Sequence, residues 1–150
     1  MRRSPKLLLS MMIFALLSGL LLPGCQANQA SEPGHNHKMA ALSEMPPEVQ
    51  TAPETVSEAY RFAAANPEII KQFPCYCGCG AMGHTSNYSC YVASEDRSGK
   101  LSFDSHALGC SICVDITQDL MRMLDQGKDI PTIQAYVDQA YSKFGPPTMP

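Results

Sequence analysis

Three hydrophobic patterns follow one another along the chain. An almost uninterrupted apolar run, Leu7–Leu22, gives way to a polar stretch from Gln26 to about Thr55 that is rich in Ala, Pro, Glu, Ser and Asn. After that stretch, apolar residues recur at helical spacing. A 3.6-residue period provides one buried face, whereas the polar stretch cannot bury enough apolar surface to offset chain entropy. The pattern predicts a flexible linker over residues 25–55 and one folded domain over residues 56–150.

The first periodic segment, Val56–Gln72, predicts a helix with Ser57 as its N-cap. Asn66-Pro67 within it predicts the end of one helix and the start of another, because proline suits the first helical position. The period then stops. A Gly- and Cys-rich segment from Cys75 to about Cys90 predicts an irregular loop.

Two later segments predict further helices. Apolar residues between about Cys110 and Leu124 lie on one helical face, and Gly127 follows as a C-terminal stop signal. Pro131 opens a last amphipathic helix. Short strands are indicated at Tyr88–Val92 and Leu101–Phe103. The predicted fold is mostly α, a small domain of three to four helices around an irregular Cys-rich loop.

The N-terminal apolar run predicts export. It follows the basic residues Arg2, Arg3 and Lys6, and it is too short to be a stable membrane span. The run ends in Leu22-Pro23-Gly24-Cys25, which resembles the lipobox of bacterial lipoproteins. The resemblance implies that residues 1–24 are removed as a signal peptide and that the Cys25 sulfur carries a diacylglyceryl group. Two acyl chains give stable anchoring, so the predicted location is the extracytoplasmic face of the bacterial cell membrane.

The charge and the missing motifs exclude several function classes. The chain has 11 Lys and Arg residues and 14 Asp and Glu residues, and cleavage before Cys25 removes three basic residues and no acidic one, leaving a formal charge of about −6. A chain without a basic stripe is not expected to bind nucleic acid. The sequence has no Walker loop, no Gly-rich dinucleotide turn and no nucleophile elbow, so no nucleotide is predicted. With no paired acid and base and no activated hydroxyl, the chain is predicted not to be an enzyme.

Six cysteines beyond Cys25 carry the chemistry of the predicted domain: Cys75, Cys77, Cys79, Cys90, Cys110 and Cys113. They form a Cys-x-Cys-x-Cys run, a lone cysteine and a Cys-x-x-Cys pair, with His84 after the run and His106 before the pair. Residues two apart in an extended segment point the same way, and Gly78 and Gly80 let the backbone turn tightly. A helix N-terminus stabilises a thiolate, the form that ligates metals and attacks disulfides.

The cysteine pattern resembles a known family. The string Pro74-Cys75-Tyr76-Cys77-Gly78-Cys79 is the signature of the PCYCGC-motif proteins, which are exported bacterial proteins and often lipoproteins. In that family the hexapeptide is followed by a Gly-His step, a later cysteine and a Cys-x-x-Cys pair, which this chain matches with Gly83-His84, Cys90, Cys110 and Cys113. The resemblance covers essentially the whole mature domain. It implies an exported location and no established reaction, so a functional prediction depends on the sulfur chemistry.

Metal binding is the favoured interpretation of the six thiols. Clustered thiolates select soft ions such as Cu(I) or Zn(II), and six cysteines with His84 exceed the four ligands of a closed tetrahedral zinc site. Cu(I) is favoured because it accepts two or three sulfurs and shares bridging thiolates, and Zn(II) is next. The predicted ligands are the six cysteines and His84. The predicted role is binding, buffering or transfer of a soft metal, which implies a metal donor or acceptor protein as a partner.

Other residues are weaker candidate ligands. His35, His37 and Met39 form a His-x-His-x-Met sequence in the predicted linker and would add soft or borderline ligands. His106 could ligate a metal or cap the following helix. Met82 in the loop is a further candidate, although methionine is more often a packing residue.

Two alternatives to metal binding remain open at this point. Exported thiols usually oxidise, and six cysteines in a small secreted domain could form three disulfides in any of about fifteen pairings. The protein would then be a disulfide-stapled structural or interaction module. A thiol–disulfide oxidoreductase would use Cys110 and Cys113, but no βαβ pattern surrounds that pair. An iron–sulfur centre uses similar ligands but is hard to assemble outside the membrane.

Overall fold

The computed structural model describes residues 37–148 of the chain. Within this range an antiparallel hairpin pairs β1 (Val92–Glu95) with β2 (Leu101–Phe103), and single-turn 3₁₀ segments lie in the loops. The same range contains five α-helices, α1 to α5 in chain order: Pro47–Gln50, Glu54–Ala65, Pro67–Ile70, Ser111–Asp125 and Ile130–Tyr141. The predicted mostly α fold around a Cys-rich loop is therefore confirmed, and α1 and α3 are single turns in addition to the three longer helices.

The break between α2 and α3 lies where the sequence predicts it. Pro67 is the first residue of α3, and the Phe62 carbonyl at the end of α2 accepts from both the backbone N–H and the Nδ2 of Asn66, each at 2.9 Å. The predicted N-cap of α2 is wrong. The helix begins at Glu54 after Pro53, and Ser57 lies inside its first turns, where its Oγ donates to the Glu54 carbonyl at 2.9 Å. A serine hydroxyl can bond back to the helix in this way, so a serine does not by itself mark a helix start.

The hydrophobic core lies where α4 packs against both α2 and α5. The amphipathic faces of these three helices supply most of its large, fully buried side chains: Tyr60, Phe62, Ile116, Leu120, Ile133 and Val137. Asp129 caps α5, because its carboxylate accepts from Thr132 N at 3.1 Å. Gly127 has φ of 71°, as expected for the left-handed residue that ends a helix. The first turn of α4 faces the Cys-rich loop, so this core supports one side of the cysteine cluster.

The hairpin begins later than the sequence predicts. Asn87–Cys90 forms a 3₁₀ turn, and β1 begins only at Val92, opposite Phe103. The backbone N–H of Asn87 bonds to the Phe73 carbonyl at 2.8 Å, outside any sheet. Tertiary hydrogen bonds therefore override the β-propensity of the aromatic residues in this segment. The second strand lies as predicted.

The described part of the predicted linker is packed rather than flexible, which corrects the domain boundary. Met45 and Val49 are buried in the core, and the Arg61 side chain donates to the Ala40 carbonyl at 2.7 Å. His37 lies 3.2 Å from the Asp125 carboxylate and meets the Phe62 ring edge to face. Prolines cut this segment into short elements, so its few anchoring residues show no period. The packed domain extends to residue 37.

The remaining predictions for the N-terminus fall outside the described residues. These are the signal peptide over residues 1–24, the lipidated Cys25 and the candidate ligand His35. Among residues 37–148, none of the helices has the length and apolar character needed to cross a membrane.

Candidate metal centre

Three separate segments bring the six cysteines together. Cys75 and Cys77 follow α3, Cys79 begins the 3₁₀ turn Cys79–Met82, and Cys90 ends the 3₁₀ turn before β1. The last two cysteines come from α4: Cys110 is its N-cap residue and Cys113 lies in its first turn. Four of the six are buried, and Cys77 and Cys110 are partly exposed. The cluster therefore lies at the edge of the core with one side towards solvent.

The sulfur atoms are close but not bonded to one another. Cys113 Sγ lies 3.2 Å from Cys75 Sγ and 3.2 Å from Cys110 Sγ, and Cys75 Sγ lies 3.3 Å from Cys77 Sγ. Cys79 Sγ and Cys90 Sγ are 3.6 Å apart. A disulfide bond is about 2.05 Å long, and all six cysteines are free thiols. Four sulfurs around a tetrahedral ion at about 2.3 Å are separated by about 3.8 Å, so these separations are close to those of a shared metal ligand set.

The Cys-x-Cys-x-Cys run presents its three sulfurs to one side, as predicted, but through a turn. The Sγ atoms of Cys75, Cys77 and Cys79 lie within 4.8 Å of one another. Gly78 (φ 84°) and Gly83 (φ 89°) bracket the 3₁₀ turn in left-handed conformations that favour glycine. The turn at Gly78 therefore brings Cys79 back towards the other two.

Two histidines complete the donor atoms. His106 Nε2 lies 3.4 Å from Cys77 Sγ, and the rings of His84 and His106 meet edge to face with centroids 5.1 Å apart. His84 Nδ1 is buried and has no hydrogen-bond partner among residues 37–148. Its other nitrogen, Nε2, lies 3.6 Å from an oxygen of Asp104, whose second oxygen accepts from the backbone N–H of His106 at 2.7 Å. Asp104 therefore lies beside the His84 ring, as the carboxylates behind metal-ligating histidines do, and also holds the backbone of His106.

Four overlapping groups of residues have ligand atoms close enough to share one ion. In each group all ligand atoms lie within 4.8 Å of one another. One group has three cysteines and one histidine: Cys77, His106, Cys110 and Cys113. A second has two cysteines and two histidines: Cys79, His84, Cys90 and His106. The other two consist of cysteines: Cys75, Cys77 and Cys79; and Cys75, Cys90 and Cys113. Every predicted ligand, the six cysteines and His84, belongs to at least one group.

His106 is a candidate ligand that the predicted set omits. It lies four residues before Cys110, and the spacing His-x₃-Cys-x₂-Cys is compatible with a metal site. A role in capping the following helix explained the position of this histidine equally well. The structure puts it in the 3₁₀ turn His106–Leu108, from which its ring reaches Cys77. Of the linker candidates, His37 belongs to none of the four groups and Met39 packs against the hydrophobic core. Met82 is 59% exposed.

A buried hydrogen-bond network holds the backbone behind the cluster. The Tyr91 hydroxyl donates to the Cys113 carbonyl at 2.7 Å and also contacts Thr117 Oγ1 at 2.7 Å. Asn87 Nδ2 bonds to the same Thr117 oxygen at 2.8 Å. These three side chains are fully buried. The network is not evident from the sequence, because isolated polar residues carry no signal of burial.

The thiols of the cluster differ in how readily they ionise. Hydrogen bonds from Cys113 and Cys90 lower the pKa of Cys75 far below its usual value. Burial raises the pKa of Cys77 and of Cys79 above the ordinary thiol value. The same hydrogen bond to Cys75 raises the pKa of Cys113. Burial and shared hydrogen bonds therefore favour the protonated forms of Cys77, Cys79 and Cys113, from which a metal ion would have to displace protons.

The chain matches the family described as "Protein of unknown function with PCYCGC motif" over residues 13–150. No curated protein and no solved structure matches the chain. The match spans most of the sequence and includes all six cysteines and both histidines of the candidate centre. The chain therefore belongs to the PCYCGC-motif family, whose function is not known.

Proposed function

We propose that this chain is a membrane-anchored, extracytoplasmic protein that binds a soft metal ion, Cu(I) in preference and Zn(II) next, in order to buffer it or transfer it. The observation that carries the proposal is the convergence of six free cysteines and two histidines from four segments of the chain. Free thiols at separations of 3.2–3.6 Å supply the soft ligands that such ions select.

The number of sulfurs supports Cu(I). Cu(I) accepts two or three sulfurs and tolerates bridging thiolates, and Cys75 Sγ lies within 4.8 Å of the sulfurs of four other cysteines: Cys77, Cys79, Cys90 and Cys113. A specific observation favours Zn(II) as the second candidate. The two histidine-containing groups have Cys₃His and Cys₂His₂ compositions, which are those of tetrahedral zinc sites.

Partial exposure of the cluster supports a transfer role. Cys77 and Cys110 are partly exposed, whereas a purely structural site would be closed within the core. A metal donor or acceptor protein would reach these two sulfurs first. The lipid on Cys25 would hold the domain at the membrane surface, where such a partner could meet it. No catalytic role is proposed, because the proposed chemistry is binding and exchange.

Elemental analysis tests the proposal directly. The full chain would be purified in detergent under reducing, oxygen-free conditions, and its metals and reactive thiols counted before and after chelation. We expect a stoichiometric metal and thiols that react only after the metal is removed. Cys77→Ser should lower the metal content and the melting temperature, whereas Met82→Leu, on the same loop, should change neither. A chain without metal, whose thiols appear only after reduction, would contradict the proposal and favour three disulfides.

A further inference from the structure

Two of the four groups of donor atoms contain histidine, and together they include every donor of the centre except Cys75. We call the first the outer set, which consists of Cys77, His106, Cys110 and Cys113, and the second the inner set, which consists of Cys79, His84, Cys90 and His106. The two sets share His106 alone. The Cys75 sulfur lies within 4.8 Å of two members of each set, because it is grouped with Cys77 and Cys79 and also with Cys90 and Cys113.

The number of donors is twice what one tetrahedral ion uses. A single ion of this kind takes four ligands, whereas the six cysteines and two histidines provide eight. His106 Nε2 lies 3.4 Å from Cys77 Sγ, which assigns this histidine to the outer set. Cys75 Sγ lies 3.2 Å from Cys113 Sγ and 3.3 Å from Cys77 Sγ in the outer set, and within 4.8 Å of Cys79 and Cys90 in the inner set. As a donor shared between the two sets, it gives the inner side its fourth ligand. A thiolate in this central position can also bridge two ions, which reduces the repulsion between closely packed thiolates.

Different structural contacts hold the two sets in place. In the outer set, Cys110 and Cys113 are held by the first turn of α4, and the Cys113 carbonyl accepts from the Tyr91 hydroxyl. In the inner set, His84 presents a buried Nδ1 without a hydrogen-bond partner among the described residues, while Asp104 lies beside its other nitrogen. A buried nitrogen of this kind is costly unless something binds it. This atom indicates a ligand for the inner set independently of the outer one.

The two sets also differ in exposure. Three of the four outer donors are partly exposed, and only Cys113 is buried. Both inner cysteines, Cys79 and Cys90, are buried, and the side chain of His84 is 11% exposed. A chelator or a partner protein therefore has direct access to the outer set, while the inner set is reached only through its histidines.

The geometry points to a centre that holds two metal ions, an exchangeable ion in the outer set and a retained ion in the inner set. This inference rests on the proposed metal-binding function and adds its stoichiometry and its division of roles. The outer ion is the one available for transfer, and the inner ion stabilises the loop that carries the hexapeptide.

Two single substitutions separate the sets, because Cys110 belongs to the outer set alone and His84 to the inner set alone. The full chain and its Cys110→Ser and His84→Ala variants would be loaded with Zn(II) in detergent, freed of excess metal and assayed for bound zinc. Ser111→Ala, next to Cys110 and exposed, is the control. We expect two zinc ions in the wild type and the control, one in each variant and none in the double variant.

The rate of zinc release to a chelator provides the second measurement. The wild type should release zinc in a fast and a slow phase of equal amplitude. Cys110→Ser should lose the fast phase and His84→Ala the slow one, and this difference also shows that each variant still folds. Fewer than two zinc ions in the wild type, or loss of the same phase in both variants, would overturn the two-ion inference. A chain that binds neither Zn(II) nor Cu(I) would overturn the proposed function as well.

Discussion

Asp104 is the residue through which the hairpin positions the two histidines of the centre. One of its oxygens accepts from His106 N at 2.7 Å and the other lies 3.6 Å from His84 Nε2. Its own backbone N–H donates to the Tyr91 carbonyl at 2.8 Å, so the carboxylate is held in place. A carboxylate behind a ligating histidine fixes the orientation of its ring. Asp104 is thus a positioning residue for the His84 ring and for the backbone of His106.

The role of Asp104 predicts the effect of Asp104→Asn. Loss of the carboxylate should weaken metal affinity about 10- to 100-fold, the usual effect of removing such a partner. The measurement is competition with a chelator of known affinity, and rescue by Asp104→Glu would separate positioning from folding. Glu95→Gln, an exposed carboxylate on the same hairpin, is the control. An affinity unchanged in Asp104→Asn would remove this residue from the centre.

The hydroxyl of Tyr91 connects the Cys113 backbone of the cysteine cluster to the buried Thr117 side chain. Tyr91→Phe would remove one hydrogen bond to the Cys113 carbonyl and one to the Thr117 hydroxyl, at about 0.5–1.5 kcal/mol of unfolding free energy per bond, because both groups keep other partners. Denaturant unfolding of the metal-loaded chain measures the change. Tyr88→Phe, on the preceding turn, should cost less than Tyr91→Phe because its ring lies beneath Lys71 rather than behind the cluster. Equal losses in the two variants would argue against the network.

At the scale of elements, the carboxylate of Asp119 links α4 to α5 by hydrogen bonds, in addition to their packing in the core. Asp119 on α4 accepts from the hydroxyls of Tyr141 at 2.7 Å and Tyr136 at 3.1 Å, both on α5, and from Arg122 at 2.7 Å. Burial alone would raise the pKa of Asp119, but the hydrogen bonds from Arg122, Tyr141 and Tyr136 outweigh it and lower the pKa. The helix that carries Cys110 and Cys113 is thereby fixed against its neighbour.

The lowered pKa of Asp119 predicts a pH dependence with a definite sign. A carboxylate with a lower pKa in the folded state stabilises the fold above its unfolded pKa of about 3.9, and this contribution is lost as the pH falls through the folded value. Asp119→Asn should therefore be less stable by about 1–3 kcal/mol at pH 7. The difference between wild type and variant should shrink below about pH 4.

Urea unfolding of the wild type and of Asp119→Asn from pH 7 to pH 3 measures this difference in stability. Acid removes the metal from both proteins, so that effect cancels in the comparison. Asp115, one helical turn earlier, provides a control, because its pKa is shifted in the opposite direction. Burial and the Asp119 charge raise the pKa of Asp115, so Asp115→Asn should leave stability at pH 7 unchanged or increase it. A difference between wild type and Asp119→Asn that stays constant with pH would contradict the predicted role of Asp119.

At the scale of the whole molecule, the centre joins segments that are distant in sequence. The loop after α3, the turn before β1, the segment after β2 and the start of α4 all supply donor atoms. A domain of this size has a thin core, so a bound ion that crosslinks four segments contributes directly to folding. Because the site is absent from the unfolded chain, the ion binds only the folded state and stabilises it by mass action.

Metal removal should therefore lower the melting temperature of the whole domain. An ion present at about 1,000 times its dissociation constant adds about 4 kcal/mol, and about 1 kcal/mol corresponds to roughly 4–8 °C in a domain of this size. Thermal unfolding with and without a chelator measures the shift, and a reductant alone is the control. A disulfide-stapled domain would show the reverse, with destabilisation by the reductant and none by the chelator.

Local chemistry explains which features were predictable. The break at Asn66-Pro67, the stop at Gly127 and the amphipathic faces of the long helices depend on residues close in sequence, and all three are present as predicted. The N-cap of α2 and the start of β1 were wrong because Ser57 and Tyr88 find partners or packing that overrule local preference. The docking of Met45 and Val49 had no periodic signal.

The sequence by itself determined that six thiols and a histidine would lie in one small helical domain, because the Cys-x-Cys-x-Cys run and the Cys-x-x-Cys pair are local patterns. Tertiary structure alone decided how the donors are grouped, since the distances that define the outer and inner sets join residues up to 36 positions apart in the sequence. It also brought His106 into the centre and Asp104 beside both histidines. Spacing along a chain limits which residues can meet, and packing of the helices selects which of them do.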